Sequence, residues 1–366
     1  MRASGPFFSL CAAAVLFANS ALAFASEQPV KIVADHALPI ATPKGKRLLP
    51  IYITLDGQFI DWTQPQPAIT RALIIVHGLE RNAEQNHRAG MRAIRNAGSA
   101  GKGTLLIGPQ FLEQVDAQAH SLPGNVLRWT EGSWMAGGNA ENAALSSYDA
   151  IDEILTRLAD KKIFPNLKTV VLAGHSAGGQ FVQRYAAVGH WGDALEHAGI
   201  PMRYVVANPS SYLYFSPERP ALKPAGEFTF GTPSSSCFGK YNHWKYGLLD
   251  PPPYVGLVAP ADVEQRYVSR EIIYLLGTKD NDPNHPELDK NCGAEDEGPH
   301  RFFRGEAFFK YLQTRHLELL ADGARQKLWA VPGVAHDNDG MYNSECGLAA
   351  LFDLGACTTP IRDPKP

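Results

Sequence analysis

The sequence predicts an α/β fold, because short apolar runs rich in β-branched residues alternate with helical patterns. The runs expected to form strands are residues 72–78, 103–111, 168–174, 203–209, 270–277 and 327–333. The helix-like segments lie near residues 83–98, 140–160, 177–189, 300–321 and 340–353. Such alternation is typical of parallel strands joined by helices, so we predict a mostly parallel central sheet flanked by helices.

The domain organisation follows from what is absent between these segments. The 366 residues are 45% hydrophobic and 19% charged, which is typical of a globular protein, and no internal repeat or Gly/Ser linker divides them. We therefore predict one domain over residues 26–366. Residues 210–266 are rich in Pro, Ser, Tyr and Phe without a regular period, and they predict a cap-like insertion that crosses the top of the sheet, over the active site.

The N-terminus indicates export. A positive start, an apolar stretch over residues 7–18 and small-x-small sites up to Ala25 predict a signal peptide over residues 1–25. The apolar stretch is too short to remain as a membrane anchor, although a lipid attached at Cys11 is a weaker alternative. We expect a secreted or periplasmic protein. The net charge of −3, without a long basic run, argues against binding to nucleic acid or anionic membranes.

The cysteines support the same compartment. Without Cys11, four remain, and an even number with no C-x-x-C pair predicts two disulfides rather than a zinc site. We favour Cys346 with Cys357, across a short segment, which leaves Cys237 with Cys292. Unpaired buried thiols are the alternative.

The stretch "GHSAGG" follows a predicted strand and precedes a predicted helix. Its G-x-S-x-G pattern forces a tight reversal in which the serine is strained and its neighbours must be small, as in a nucleophile elbow. We therefore predict that Ser176 is a nucleophile. A simple helix cap is the alternative reading.

A serine nucleophile needs a base and a group that orients the base. His336, in a loop after the last predicted strand, is the best candidate for the base, although an ordinary solvated histidine is possible. Asp280 stands just past the strand that ends at Gly277, and Asp282 is the reserve. The chain order Ser, Asp, His is that of an α/β-hydrolase triad.

An acyl-transfer site also needs two donors for the oxyanion. We assign one to the backbone N–H of Ala177, at the start of the helix, and the other to Leu79 in the loop "HGLERNA", with Glu80 as the alternative.

Four residues are candidates for contacts with the substrate. His77, Asn208 and Tyr212 lie at or just past the ends of predicted strands, and Trp134 lies in a glycine-rich loop before a predicted helix; for each, a structural role in a turn or the core is the competing reading. "DNDPN" at 280–284 resembles the start of a calcium loop, but His285 stands where glycine is expected and Asn291 where glutamate is expected. We predict no metal.

These four motifs, "HGLERNA", "GHSAGG", "GTKDND" and "GVAHD", resemble those of the α/β-hydrolase superfamily across most of the mature chain, and the chain is also similar to a group of secreted serine hydrolases and esterases. The resemblance implies an α/β-hydrolase fold and cleavage of carboxylic esters, small or polymeric, through a Ser176–His336–Asp280 triad and an acyl-enzyme, without a cofactor. A serine peptidase or amidase with the same triad remains open, as does a non-catalytic binding protein. The motifs determine neither the substrate nor the oligomeric state.

Overall fold

The computed structural model describes residues 28–234, 237, 239–256, 258–321, 323–355 and 357. The predicted signal peptide, with Cys11, lies outside the described residues. The strands are β1 His36–Thr42, β2 Gly45–Leu55, β3 Gln58–Phe59, β4 Arg71–Val76, β5 Thr104–Pro109, β6 Thr169–His175, β7 Met202–Ala207, β8 Arg219–Leu222, β9 Phe228–Gly231, β10 Glu271–Gly277 and β11 Gln326–Val331.

Ten α-helices are present in the described part of the chain. They are α1 Ala83–Asn96, α2 Gln114–Ala119, α3 Ser147–Leu158, α4 Ala177–Val188, α5 Trp191–His197, α6 Pro260–Ser269, α7 Cys292–Glu295, α8 Arg301–Arg315, α9 Asn338–Asn343 and α10 Glu345–Phe352. Short 3₁₀ turns cover Gly98–Gly101, Ser133–Ala136, Lys240–Asn242 and Leu317–Leu320. No helix in these ranges is both long and apolar enough to cross a membrane.

One nine-stranded sheet organises the chain, in the order β1-β2-β5-β4-β6-β7-β10-β11, with β3 paired to β2. Six strands of this sheet run parallel to one another, namely β5, β4, β6, β7, β10 and β11. The strands β1, β2 and β3 form an antiparallel edge. The predicted mostly parallel sheet flanked by helices is confirmed. All six predicted strands are present within one or two residues of their expected ends.

Helices cover both faces of this sheet. Along β4, the side chains of Leu73 and Ile75 pack with α1, α9 and α10, whereas those of Ile74 and Val76 face the larger core with α3, α4, α6 and α8. Because both faces are buried, the central strands are apolar at nearly every position, which explains their unbroken runs in the sequence.

The connections place a crevice above the middle of the sheet. After β4 the chain crosses through α1 to β5 on one side, and the next large strand, β6, lies on the other side of β4. In open parallel sheets, ligands bind at the carboxyl ends of strands where the strand order reverses in this way. The loops after β4 and β6, which carry "HGLERNA" and Ser176, meet at this point.

Two disulfides join the cysteines as predicted. Cys237 pairs with Cys292, with their Cα atoms 5.7 Å apart, and Cys346 pairs with Cys357, with their Cα atoms 4.6 Å apart. The first disulfide links Cys237 to the first residue of the short helix α7. The second links Cys357, which follows α10, to Cys346 within α10. The predicted pairing is confirmed.

Residues 210–266 have a different arrangement from the one expected. Residues 212–215 are buried against α8, the hairpin β8–β9 also packs on α8, and α6 is a regular helix of the larger core that leads into β10. The irregular segment therefore ends before Pro260. Of the described residues in this stretch, none lines the cleft around Ser176. The described parts pack on the larger core, and a cap over the active site stays a prediction.

Candidate active site

Ser176 stands on a sharp turn between β6 and α4. Its backbone angles are φ 58° and ψ −121°, a strained conformation for a residue with a side chain. A Cβ atom at position 174 would lie 2.2 Å from the carbonyl oxygen of Gly178, and one at position 178 would lie 2.3 Å from that of Val76. Both positions therefore require glycine, and the turn has the geometry of a nucleophile elbow.

Three side chains from separate loops form a hydrogen-bonded chain at this turn. The Ser176 Oγ lies 2.9 Å from Nε2 of His336, and Nδ1 of His336 lies 2.7 Å from Oδ2 of Asp280. The neutral ring of His336 therefore carries its proton on Nδ1 and donates a hydrogen bond from there to the carboxylate of Asp280. Its Nε2 accepts a hydrogen bond from the hydroxyl of Ser176. Asp282, the alternative acid, is exposed and accepts a hydrogen bond from the backbone of Asn284, so Asp280 is the carboxylate in contact with His336.

The protonation states of His336 and Asp280 are set by burial and by one nearby cation. Burial lowers the pKa of His336, and the hydrogen bond to Asp280 opposes that effect. Burial alone would raise the pKa of Asp280, but the bond from His336 and the nearby guanidinium of Arg301 outweigh it, so that pKa is below its usual value. An ionised Asp280 beside a neutral His336 is the arrangement that general-base catalysis requires.

Asn208 holds the loops of the triad together from below. Its side-chain oxygen accepts a hydrogen bond from the backbone N–H of Gly277 at 2.8 Å, and its amide nitrogen donates to the carbonyl of Ala335 at 3.3 Å. These two residues precede the acid turn and the histidine, respectively. Asn208 is buried, so the structure places it under the triad, rather than in the cleft where the sequence predicted it.

The loop after β4 passes beside the nucleophile. A Cβ atom at position 78 would lie 3.9 Å from the Cβ of Ser176, and Leu79 lines the cleft. Ala177 is buried as the first residue of α4. The two predicted oxyanion donors thus belong to segments that adjoin Ser176 on either side, and their role stays a prediction.

A buried arginine that the sequence analysis missed holds the same loop. The Nε of Arg81 donates to Oδ2 of Asp116 at 2.7 Å, and its Nη2 donates to Oδ1 at 3.1 Å. Nη1 lies 3.1 Å from a carboxylate oxygen of Glu113. All three side chains are buried, so this ion-pair group anchors the loop that carries Leu79.

Two further residues predicted for substrate contact belong to the same core. Nε2 of His77 accepts a hydrogen bond from the backbone N–H of Phe111 at 2.9 Å, its Nδ1 donates to the carbonyl of Gly78 at 2.8 Å, and burial lowers its pKa to about 4. Its neutral ring packs on Trp134, with centroids 4.5 Å apart. His77 and Trp134 are fully buried, so they support the loop from behind and do not reach a bound molecule.

Tyr212 likewise lies in the core. Its ring stacks on Phe308 with centroids 4.6 Å apart, and its side chain has no exposed surface. The alternation of aromatic and polar residues after β7 therefore reflects packing on α8, and Tyr212 does not line the cleft.

The cleft above Ser176 has a volume of about 190 Å³ and polar walls. Its lining residues are Gly78, Leu79, Glu80, Asn82, Gln85, Asn86, His175, Ser176, Glu287, His336, Asp337 and Asn338. Of these, Leu79 alone is a large aliphatic residue. Within the described part of the chain, carboxylates but no lysine or arginine line this cleft, so its surroundings are unfavourable to an anion.

The chain is similar in fold to two solved structures of polymer-degrading hydrolases. LpqC, a poly(3-hydroxybutyrate) depolymerase from Bordetella parapertussis, aligns with a TM-score of 0.57 at 20% identity over 87% of this chain and 90% of its own. Poly(aspartic acid) hydrolase-1 from Sphingomonas sp. KT-1 aligns with a TM-score of 0.54 at 23% identity, over 86% of this chain and 96% of its own. The chain has the α/β-hydrolase fold.

This result confirms the predicted resemblance at the level of the fold. No protein-family model matches the chain, and no curated protein sequence matches it. The α/β-hydrolase fold supports many activities, so the reaction must be argued from the residues around Ser176.

Proposed function

We propose that this chain is an exported serine hydrolase that cleaves carboxylic esters. The observation that carries the proposal is the continuous hydrogen-bonded chain Ser176–His336–Asp280, with Ser176 strained on its elbow and open to a cleft. A serine used only as a helix cap would need neither this base nor this backbone strain. The two disulfides support the exported location, since such bonds persist in oxidising compartments.

The geometry supports a two-stage reaction. The Oγ of Ser176 attacks the ester carbonyl carbon while Nε2 of His336 takes its proton, and the backbone N–H groups of Ala177 and Leu79 stabilise the resulting oxyanion. The carbon–oxygen bond to the alcohol then breaks, and His336 returns the proton to the departing oxygen. In the second stage His336 takes a proton from water, which attacks the acyl carbon, and Ser176 leaves with that proton. No step requires a cofactor or metal.

The cleft favours neutral or cationic substrates. Its lining includes the carboxylates of Glu80 and Glu287, and burial, together with the charge of Glu80, raises the pKa of Glu287. A substrate with a carboxylate near the scissile bond would be repelled, whereas hydroxyl, amide or ammonium groups find acceptors there.

An amidase or peptidase with the same triad is the second candidate, favoured by the polar cleft and by the similarity in fold to a poly(aspartic acid) hydrolase. Rates measured on an ester and an amide of one acyl group distinguish the two. A non-catalytic protein is disfavoured because its serine would not require the hydrogen bond between Ser176 and His336.

The first experiment is labelling with a fluorophosphonate, which reacts with activated serines. The intact mass of the mature protein should increase by one adduct, and the mass of Ser176→Ala should not change. Thermal unfolding of both proteins controls for folding, since the substitution leaves a side chain at a position with positive φ. An unlabelled wild-type protein would contradict the proposed function.

A further inference from the structure

Arg301, the first residue of α8, lies next to the acid of the triad. Its Nη1 donates to Oδ1 of Asp280 at 3.3 Å, while His336 bonds the other oxygen, Oδ2. Arg301 as a whole residue is only 1% exposed. The carboxylate of Asp280 therefore lies between a guanidinium and an imidazole, with one donor for each oxygen.

A second contact holds the guanidinium in this position. Nε of Arg301 donates to Oγ of Ser210 at 3.1 Å, and the same hydroxyl accepts the backbone N–H of Asp289 at 3.2 Å. Ser210 follows β7, so the contact links the sheet, the loop that carries Glu287 and the triad. Because Nε and Nη1 each have an acceptor and the side chain is buried, packing and these two hydrogen bonds determine the orientation of Arg301, while its buried Nη2 has no hydrogen-bond partner among the described residues.

The charge of Arg301 acts on His336 through this geometry. A buried carboxylate beside a histidine stabilises the protonated ring and so raises the pKa of the histidine. A cation on the far oxygen of that carboxylate opposes the effect, and Arg301 lowers the pKa of His336. The other titratable groups around this ring are His175 and His285, whose ring centroids lie 4.5 and 5.0 Å away, and burial lowers the pKa of each.

The remaining charges nearby are Asp337 and Glu287. Asp337 follows His336 and its carboxylate caps α9, whereas Glu287 lies on the cleft wall and its charge acts on Arg301. Both are negative and partly or fully exposed, so they favour protonation of His336 rather than oppose it. Within the described residues, Arg301 is the cation that contacts the triad.

We propose that Arg301 is a positioning residue of the triad, which orients Asp280 and supplies the positive charge that keeps His336 able to accept a proton in mildly acidic solution. This inference rests on the proposed function. It adds a fourth side chain to the acid–base machinery, acting through Asp280 and not through the substrate.

The test is the rate of inactivation by a fluorophosphonate between pH 4 and 9, because this rate reports the unprotonated base and needs no knowledge of the substrate. For the wild type, the rate should fall as the solution becomes acidic, with a midpoint below the ordinary histidine pKa of 6.5. We call this fall in rate the acid limb of the pH profile. For Arg301→Met, the acid limb should move up by roughly 0.5 to 1 pH unit, and the plateau rate should fall about 10- to 100-fold. Arg301→Lys, which keeps the charge, should return the limb toward the wild-type position.

Arg304 provides the matched control. It lies one turn further along α8, is equally buried, and donates to the backbone carbonyls of Gly298, Ser210 and Asp289 without touching Asp280. Arg304→Met therefore removes a buried arginine from the same helix and should leave the acid limb in place. If Arg301→Met does not fold, Ser210→Ala loosens the guanidinium and should move the limb in the same direction by a smaller amount.

The outcomes separate the two proposals. A labelled wild type with the same acid limb in the Arg301→Met or Ser210→Ala variant overturns the role of Arg301 and leaves the serine hydrolase intact. A shift of equal size in Arg304→Met would also overturn it, since the effect would then be a general loss of structure. A wild type that is never labelled overturns the proposed function and, with it, the inference.

Discussion

Ser176 has a buried arginine–aspartate pair on either side, and the two pairs differ in what else the aspartate binds. On the oxyanion side, Asp116 accepts from Arg81 and also from the backbone N–H groups of Val30 and Glu113, at 2.8 Å each. On the acid side, Asp280 accepts from Arg301 and from His336. The aspartate of the first pair binds backbone groups and holds a loop in place, whereas the aspartate of the second pair binds the imidazole ring of His336.

One type of interaction, an arginine–aspartate pair, thus has two functions, depending on the third partner of the aspartate. Replacing Asp280 leaves the buried guanidinium of Arg301 without its counterion, which costs about 3–5 kcal/mol of stability in typical proteins. Replacing Asp116 should cost less, because Arg81 keeps its contact with Glu113. A change in the acid–base chemistry, however, is expected only where the aspartate also binds His336. Two predictions test this difference, and a third tests the charge of the cleft between the two pairs.

The largest effect should come from the two aspartates themselves. Asp280→Asn should lower kcat/KM for a 4-nitrophenyl ester by roughly 10³- to 10⁴-fold, because a neutral amide neither stabilises protonated His336 nor selects its productive tautomer. Asp116→Asn should lower the melting temperature but reduce kcat/KM by no more than about 10-fold, since the triad is untouched. Equal losses of activity in the two variants would remove the distinction between the pairs.

A smaller effect is expected when the oxyanion side loses its arginine. Arg81→Met should free the loop that carries Leu79 and lower kcat by about 10- to 100-fold, the range expected when an oxyanion donor is misplaced. The acid limb of its pH profile should coincide with that of the wild type, in contrast to Arg301→Met. A displaced limb in Arg81→Met would show that loop position and triad charge are coupled.

The smallest effect concerns the carboxylates of the cleft. An ester whose acyl group ends in a trimethylammonium should be cleaved about 3- to 10-fold faster than its tert-butyl isostere at low salt, and the preference should shrink as salt is added. The double variant Glu80→Gln, Glu287→Gln should lose the preference while cleaving the neutral ester at the wild-type rate. A preference that persists in the double variant would assign it to other groups.

The sequence predicted the elbow and the sheet because their signals are local. The five residues from Gly174 to Gly178 define the turn by steric exclusion, and strands buried on both faces are apolar throughout. The antiparallel edge formed by β1, β2 and β3 was missed, since an exposed edge strand has a mixed pattern that resembles a loop.

The residues that support the site were less accessible to sequence analysis. Arg81 and Arg301 differ from surface arginines only in their partners, which lie 35 and 21 residues away along the chain. The one sequence signal was the position of Arg81 within the loop "HGLERNA". His77 and Tyr212 stand near strand ends and Trp134 stands in a loop, which are places where residues that contact ligands often lie, yet packing buries all three.

The sequence by itself determined the order of the elements and the strained turn at Ser176, and it predicted His336 as the base, because turns and strand ends are specified by a few neighbouring residues. It also limited the acid to two carboxylates on one turn. Only the tertiary structure placed Asp280, rather than Asp282, against His336, brought Arg81 and Arg301 beside these loops and opened a polar cleft above Ser176. Those outcomes depend on distances between segments that are far apart in the chain, and such distances are set by the packing of helices on both faces of the sheet.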